Sequence, residues 1–113
     1  MEGNAQIRST VLGNDDNQCH GILSSFINLQ QGSSYQEFGG YSFGYKYFSY
    51  WVERILEIAG VSLWEDLVGC YVRVKSNSEG IIYAIGHIIE DKWFDPTKEF
   101  KEMQVSDNVD PTA

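Results

Sequence analysis

The hydrophobic period of this chain changes at Phe48, and that change narrows its fold class. Phe48, Val52, Ile55 and Ala59 recur at the spacing of one helix face, Trp51 and Leu56 widen the stripe, and Glu53, Arg54 and Glu57 take the other side. Gly60 stands where a helix C-terminus favours a left-handed residue. On both sides of this helix the apolar residues fall in short segments divided by turn chemistry. Segments 6–12, 21–30 and 35–43 precede it, and 70–75 and 81–89 follow, with Asn77-Ser78-Glu79-Gly80 as a hairpin turn between the last two. Ser62-Leu63-Trp64-Glu65 reads as a capping box opening a short helix over 63–68, and Asp95-Pro96 as an N-cap with proline at the first helical position of another over 96–103. The expected fold is α+β: a mostly antiparallel sheet of about five strands, one main helix over 48–59 and two short ones. Residues 1–113 form one domain, with the ends at about 1–5 and 105–113 expected to fray.

Nine of the sixteen aromatic residues lie between Tyr35 and Trp51, interleaved with Gly39, Gly40 and Gly44. Aromatic rings supply flat apolar faces at low entropic cost, and glycine lets backbone approach closely. The segment suits a core, a stacking surface for planar ligands, or a subunit interface. Gly39-Gly40 within a strand implies a bulge or a close backbone approach.

The formal net charge of −8 opposes binding to a polyphosphate duplex, and no basic stripe offsets it. The acids are uneven: residues 1–46 hold four Asp/Glu and the remainder twelve, which reads as solvated surface or as a face for a basic partner. No apolar run approaches the roughly 20 residues of a membrane span, and no signal peptide is visible, so an intracellular location is expected.

Chemistry-bearing patterns are sparse. There is no nucleophile elbow, no Walker loop and no G-x-G-x-x-G. Adjacent carboxylates at Asp15-Asp16, Glu65-Asp66 and Glu90-Asp91 point to opposite faces of a strand and make no acid–base dyad. Cys19, His20, Cys70 and His87 could be written as a zinc set, but their spacing does not argue for one. His87 shares an apolar strand face with Ile81, Tyr83, Ile85 and Ile89 on simple alternation, and reads as a buried, hydrogen-bonded residue. An enzyme, a cofactor or a metal site is not expected.

Trp93-Phe94 is the more informative pair. Two large rings in a connection flanked by acids either close the end of the core or offer a stacking surface. Arg73, with Tyr71 and Lys75 on the strand face opposite Val72 and Val74, carries a planar fork suited to phosphate, and Lys92 is a second cation nearby.

Several segments together resemble a known family. They are Ser9-Thr10-Val11-Leu12-Gly13, His20-Gly21-Ile22, Phe38-Gly39-Gly40-Tyr41, Val61-Ser62-Leu63-Trp64-Glu65-Asp66-Leu67, Tyr71-Val72-Arg73-Val74 and Ile85-Gly86-His87-Ile88-Ile89-Glu90-Asp91-Lys92-Trp93-Phe94. In this order, over about residues 7–96, the chain resembles small phage and prophage proteins, and among them the first family of Thoeris anti-defence proteins. It departs from their pattern in extra residues at 14–19 and a short stretch at 43–48. The resemblance implies an oligomeric, phage-encoded counter-defence protein, acting in the cytoplasm of the infected bacterial host. Such a protein sequesters a cyclic ADP-ribose-type signalling nucleotide without turnover. It implies a ligand set of Phe38, Tyr41, Arg73, His87, Asp91, Trp93 and Phe94. The alternative class is an acidic, anti-CRISPR-like inhibitor of a host defence nuclease complex. A nucleotide sponge needs a concave pocket that combines rings with Arg or Lys; an acidic inhibitor needs a contiguous acidic face.

Overall fold

The computed structural model describes residues 1–15, 22–40 and 45–108. Six strands of these residues form one antiparallel sheet: β1 (Glu2–Asp15), β2 (Ile22–Gln31), β3 (Ser34–Gly39), β4 (Tyr71–Ser76), β5 (Ile82–Gly86) and β6 (Trp93–Phe94), in the order β3-β2-β1-β4-β5-β6. Helix α1 (Tyr45–Ala59) lies between β3 and β4 in sequence, and α2 (Pro96–Asn108) follows β6. The fold is α+β, as the change of period requires.

One face of the sheet is the core. Ala5 and Ile7 of β1, Ile27 and Leu29 of β2, Phe38 of β3, Val72 and Val74 of β4, Ile82 and Ile85 of β5 and Phe94 of β6 are all buried there. Helix α1 covers them with Trp51, Ile55 and Ile58, at i, i+4 and i+7. The stripe therefore centres on Trp51 and Ile58, with Val52, Leu56 and Ala59 at its margins. Trp51 stacks on Phe38 at 5.6 Å between ring centroids, and its indole N–H donates to the buried Ser25 hydroxyl at 3.0 Å. This is why β3 ends in glycine. Gly39 has φ +120°, and a Cβ there would sit 2.7 Å from the Ser25 carbonyl oxygen and 2.7 Å from the Trp51 ring. The expected close approach at Gly39-Gly40 is a tryptophan pressed against backbone.

Two bulges set the phase of the strands. In β1 the register shifts between Ile7 and Ser9, and in the β4–β5 pair between Lys75 and Ser76. Lys75 pairs with Ala84 and Ser76 with Ile82, so Tyr83 is the extra residue. Ile82 and Ile85 are buried, whereas Ile81 and Tyr83 are exposed. This corrects the simple alternation that placed Ile81, Tyr83, Ile85, His87 and Ile89 on one face. The strand also stops at Gly86, so His87 and Ile89 belong to the connection.

Three further expectations change. The first residues do not fray: Glu2–Gln6 pair with Tyr71–Lys75, and the Met1 ammonium donates to the Ser76 carbonyl at 2.9 Å. The sheet has a sixth strand, because Trp93-Phe94 pairs with Ile85-Gly86. The capping box does not form: Leu63 is the N-cap, no side chain caps it, and only a single 3₁₀ turn, Trp64–Asp66, follows. Trp64 instead donates its indole N–H to the Thr10 hydroxyl at 3.1 Å. The other local signals hold. Gly60 takes φ +77° and its N–H donates to the Leu56 carbonyl. Asn77 caps its own turn by accepting from the amides of Glu79 and Ile81. Asp95 accepts from the Lys98 amide at 3.2 Å, with Pro96 at the first position of α2.

Candidate functional site

Adjacent residues of a strand point to opposite faces. That rule, applied to the two residues of β6, separates Phe94 from Trp93. Phe94 pairs with Ile85 on the core face and is 0 % exposed. Its ring meets those of Phe38, Tyr50, Trp51 and Phe100 at centroid distances of 5.7–6.5 Å. Phe38 is 3 % exposed in the same cluster. Both rings close the core and have no face left for a ligand, so they leave the expected ligand set.

Trp93 pairs with Gly86 on the other face, in line with Arg73 across the next strand. A Cβ on Gly86 would lie 2.7–2.9 Å from three carbons of the Trp93 ring, so glycine allows the indole to lie on the sheet. Two cations stand over the ring: the Arg73 guanidinium carbon 4.7 Å and the Lys75 ammonium 4.1 Å from its centroid.

Arg73 is committed to the β5–β6 connection. Its Nε donates to the His87 carbonyl at 2.7 Å and its Nη2 to the Glu90 carbonyl at 2.8 Å. His87 organises the same loop from within. Its Nδ1 accepts from the amides of Ile89 at 3.1 Å and Glu90 at 2.9 Å, and its own amide donates to the Lys92 carbonyl at 3.0 Å. His87 is half-buried rather than fully buried. His87→Gln should cost on the order of 1–2 kcal/mol, because two loop amides lose a well-placed acceptor. Urea denaturation reads this directly; unchanged stability would remove His87 from the structural role. Asp91 is exposed in this loop. Arg73, His87, Asp91 and Trp93 thus gather around one connection. Tyr41 lies outside the described residues, as do Cys19 and His20. The Cys70 thiol donates to the Asp66 carbonyl, and burial, with the nearby Asp66 charge, pushes its pKa up, away from a metal-binding thiolate.

Beside Trp93 a cleft of about 610 Å³ opens between the β5–β6 end of the sheet and the two helices. Its walls carry the rings of Trp93, Tyr83 and Tyr50, the cations Lys75, Arg54 and Lys98, and the carboxylates Asp95, Glu99 and Glu102. The base of the cleft is a polar web. Glu99 accepts from Tyr50 Oη and from Arg54 Nε through one oxygen, and from the Asp95 amide through the other. Arg54 also pairs with Glu57, donates to the Trp93 carbonyl at 2.6 Å and lies 5.2 Å from the Phe94 centroid. Burial first, then the hydrogen bond and charge of Glu99, push the Tyr50 hydroxyl up to about 12. The hydrogen bonds and charges of Glu99 and Glu57 raise Arg54 against the opposing effect of burial.

Lys75 was visible in the sequence as a neighbour of Arg73 on the open strand face. Tyr83, Lys98 and the Arg54–Glu99 web were not, because a bulge and the return of α2 across the sheet bring them in. Among the described residues no helix is long and apolar enough to cross a membrane, and no three His, Cys, Asp or Glu side chains gather as a metal site. Comparison with known protein families, with curated proteins and with solved structures finds no match.

Proposed function

We propose that this cleft captures a small planar anion of the cyclic ADP-ribose type and holds it without turnover. The role is that of a phage-encoded counter-defence protein in the cytoplasm of an infected bacterium. The observation that carries the reading is the meeting, in one cleft, of the Trp93 and Tyr83 rings with the Lys75 and Lys98 ammonium groups. A purine stacks on an aromatic face, and its phosphates need a cation close by in a chain of charge −8. The ligand-contacting set becomes Trp93, Tyr83, Lys75 and Lys98, with Arg73 and His87 shaping the loop behind the ring. Two titratable groups of the cleft are already committed within the fold. Glu99 already accepts three hydrogen bonds, and a Tyr50 hydroxyl at about 12 stays protonated at neutral pH, so neither is poised as a general base.

Titration calorimetry with cyclic ADP-ribose isomers and cyclic dinucleotides tests this. Saturable binding is expected, and Trp93→Ala should remove roughly 1–3 kcal/mol of it while leaving the fold intact. No heat from folded protein with any of these ligands would overturn the reading in favour of an acidic inhibitor of a host nuclease complex.

Self-association belongs to the same proposal. The apolar stripe of α1 is spent on its own sheet, and among the described residues Tyr35, 65 % exposed on edge strand β3, is an aromatic open to such a contact. Light scattering should give a mass above that of one 12.8 kDa chain; a monomer mass at micromolar concentration would rule this out.

A further inference from the structure

We infer that Lys75 selects the ligand of the cleft: its ammonium covers the Trp93 ring in the free protein, and a ligand carrying its own anion draws it away more readily than a neutral one. This rests on the reading that the cleft takes a planar ligand, and narrows that ligand to one with a phosphate or comparable anion close to its ring.

Three groups enclose the Trp93 ring, and they differ in freedom. The Gly86 backbone is fixed within β5. Arg73 is held by the carbonyls of His87 and Glu90. Lys75 makes no ion pair among the described residues, and its long stem can swing. Position points the same way. Lys75 and Trp93 both line the cleft, whereas Gly86 and Arg73 do not. The ammonium, 4.1 Å from the ring centroid, therefore stands between the ring and the space a ligand enters.

A base that stacks on Trp93 must displace this cation. The contact it breaks favours the covered state by roughly 2- to 30-fold. A neutral nucleoside gives nothing back to the released ammonium. A nucleotide gives it a phosphate oxygen, so the displaced cation becomes a ligand contact. With Arg73 also beside the ring, a cationic ligand meets like charge. The cleft thus discriminates by charge at the ring itself, which reconciles anion binding with an acidic chain.

The test is calorimetry of the wild type, Lys75→Ala and Lys98→Ala with two probes, a cyclic ADP-ribose isomer and adenosine. Circular dichroism confirms that each variant is folded. Lys75→Ala should bind the cyclic nucleotide about tenfold more weakly and adenosine about threefold or more tightly, because it loses the phosphate contact and uncovers the ring. Lys98→Ala, which removes a cation that does not cover the ring, should weaken the nucleotide without improving adenosine. Unchanged affinities in Lys75→Ala, or both probes weakened alike, would overturn the selection role and leave the cleft reading standing. If neither probe binds any of the three proteins, both fail together.

Discussion

Phe94→Ala should lower folding stability by about 3–5 kcal/mol, the range for truncating a fully buried phenylalanine. The residue is 0 % exposed and touches four other rings, and the Arg54 guanidinium lies against it. Its loss would open a cavity where α1, α2 and β6 meet. Because β6 is only two residues long, the same change would unseat Trp93 and loosen the cleft. The neighbouring Trp93→Ala should behave in the opposite way, with a modest effect on folding and a large one on binding. Denaturant unfolding of the two variants is the check. Equal destabilisation would mean that the β6 assignment, and the division between its two faces, is wrong.

Glu99→Ala should cost about 2–4 kcal/mol, between the values for an exposed and a fully buried ion pair, since both partners are about one-fifth exposed. It would strip Arg54, Tyr50 and the Asp95 amide of a shared acceptor and release the first turn of α2 from α1. A pH signature accompanies it. The Tyr50 pKa lies above its ordinary value of 10.0, at about 12, so the fold favours the neutral phenol. The stability this contributes is complete below pH 10 and is lost as pH rises from 10 towards 12. In Glu99→Ala the carboxylate's share of the shift disappears while burial remains, so the Tyr50 midpoint should fall towards 10. Nuclear magnetic resonance of the tyrosine ring carbons follows that midpoint; one that stays at about 12 would remove Glu99 as a cause.

Much of the fold could be read from the sequence because its signals are local. Asp95-Pro96 starts a helix, Gly60 ends one, and Asn77 with Gly80 closes a hairpin, each through contacts within a few residues. Sequence and structure part where a distant partner decides. A two-residue strand has no periodicity to detect, so in the sequence β6 looks like a connection and Phe94 stands beside Trp93 as a candidate stacking ring. The bulge at Tyr83 moved the phase of β5, and with it the faces of Ile81 and Ile82. Alternation on β4 placed Arg73 and Lys75 together correctly. It could not show that Arg73 is tied to the His87 and Glu90 carbonyls while Lys75 is not, because that depends on the path of the 87–92 loop. The proposed ligand set is therefore partly made of residues that the sequence alone showed least clearly, Tyr83 and Lys98 above all.

In the proposed function a planar anion sits on Trp93 in the cleft between β5, β6 and the helices. The most direct measurement is a titration of the isotope-labelled protein with a cyclic ADP-ribose isomer, followed by nuclear magnetic resonance. Saturable shifts of the Trp93 indole N–H and of the Lys75, Tyr83 and Lys98 signals are expected, with the Trp51 indole little changed behind its hydrogen bond to Ser25. No shifts in folded protein, or shifts confined to residues away from this cleft, would contradict it.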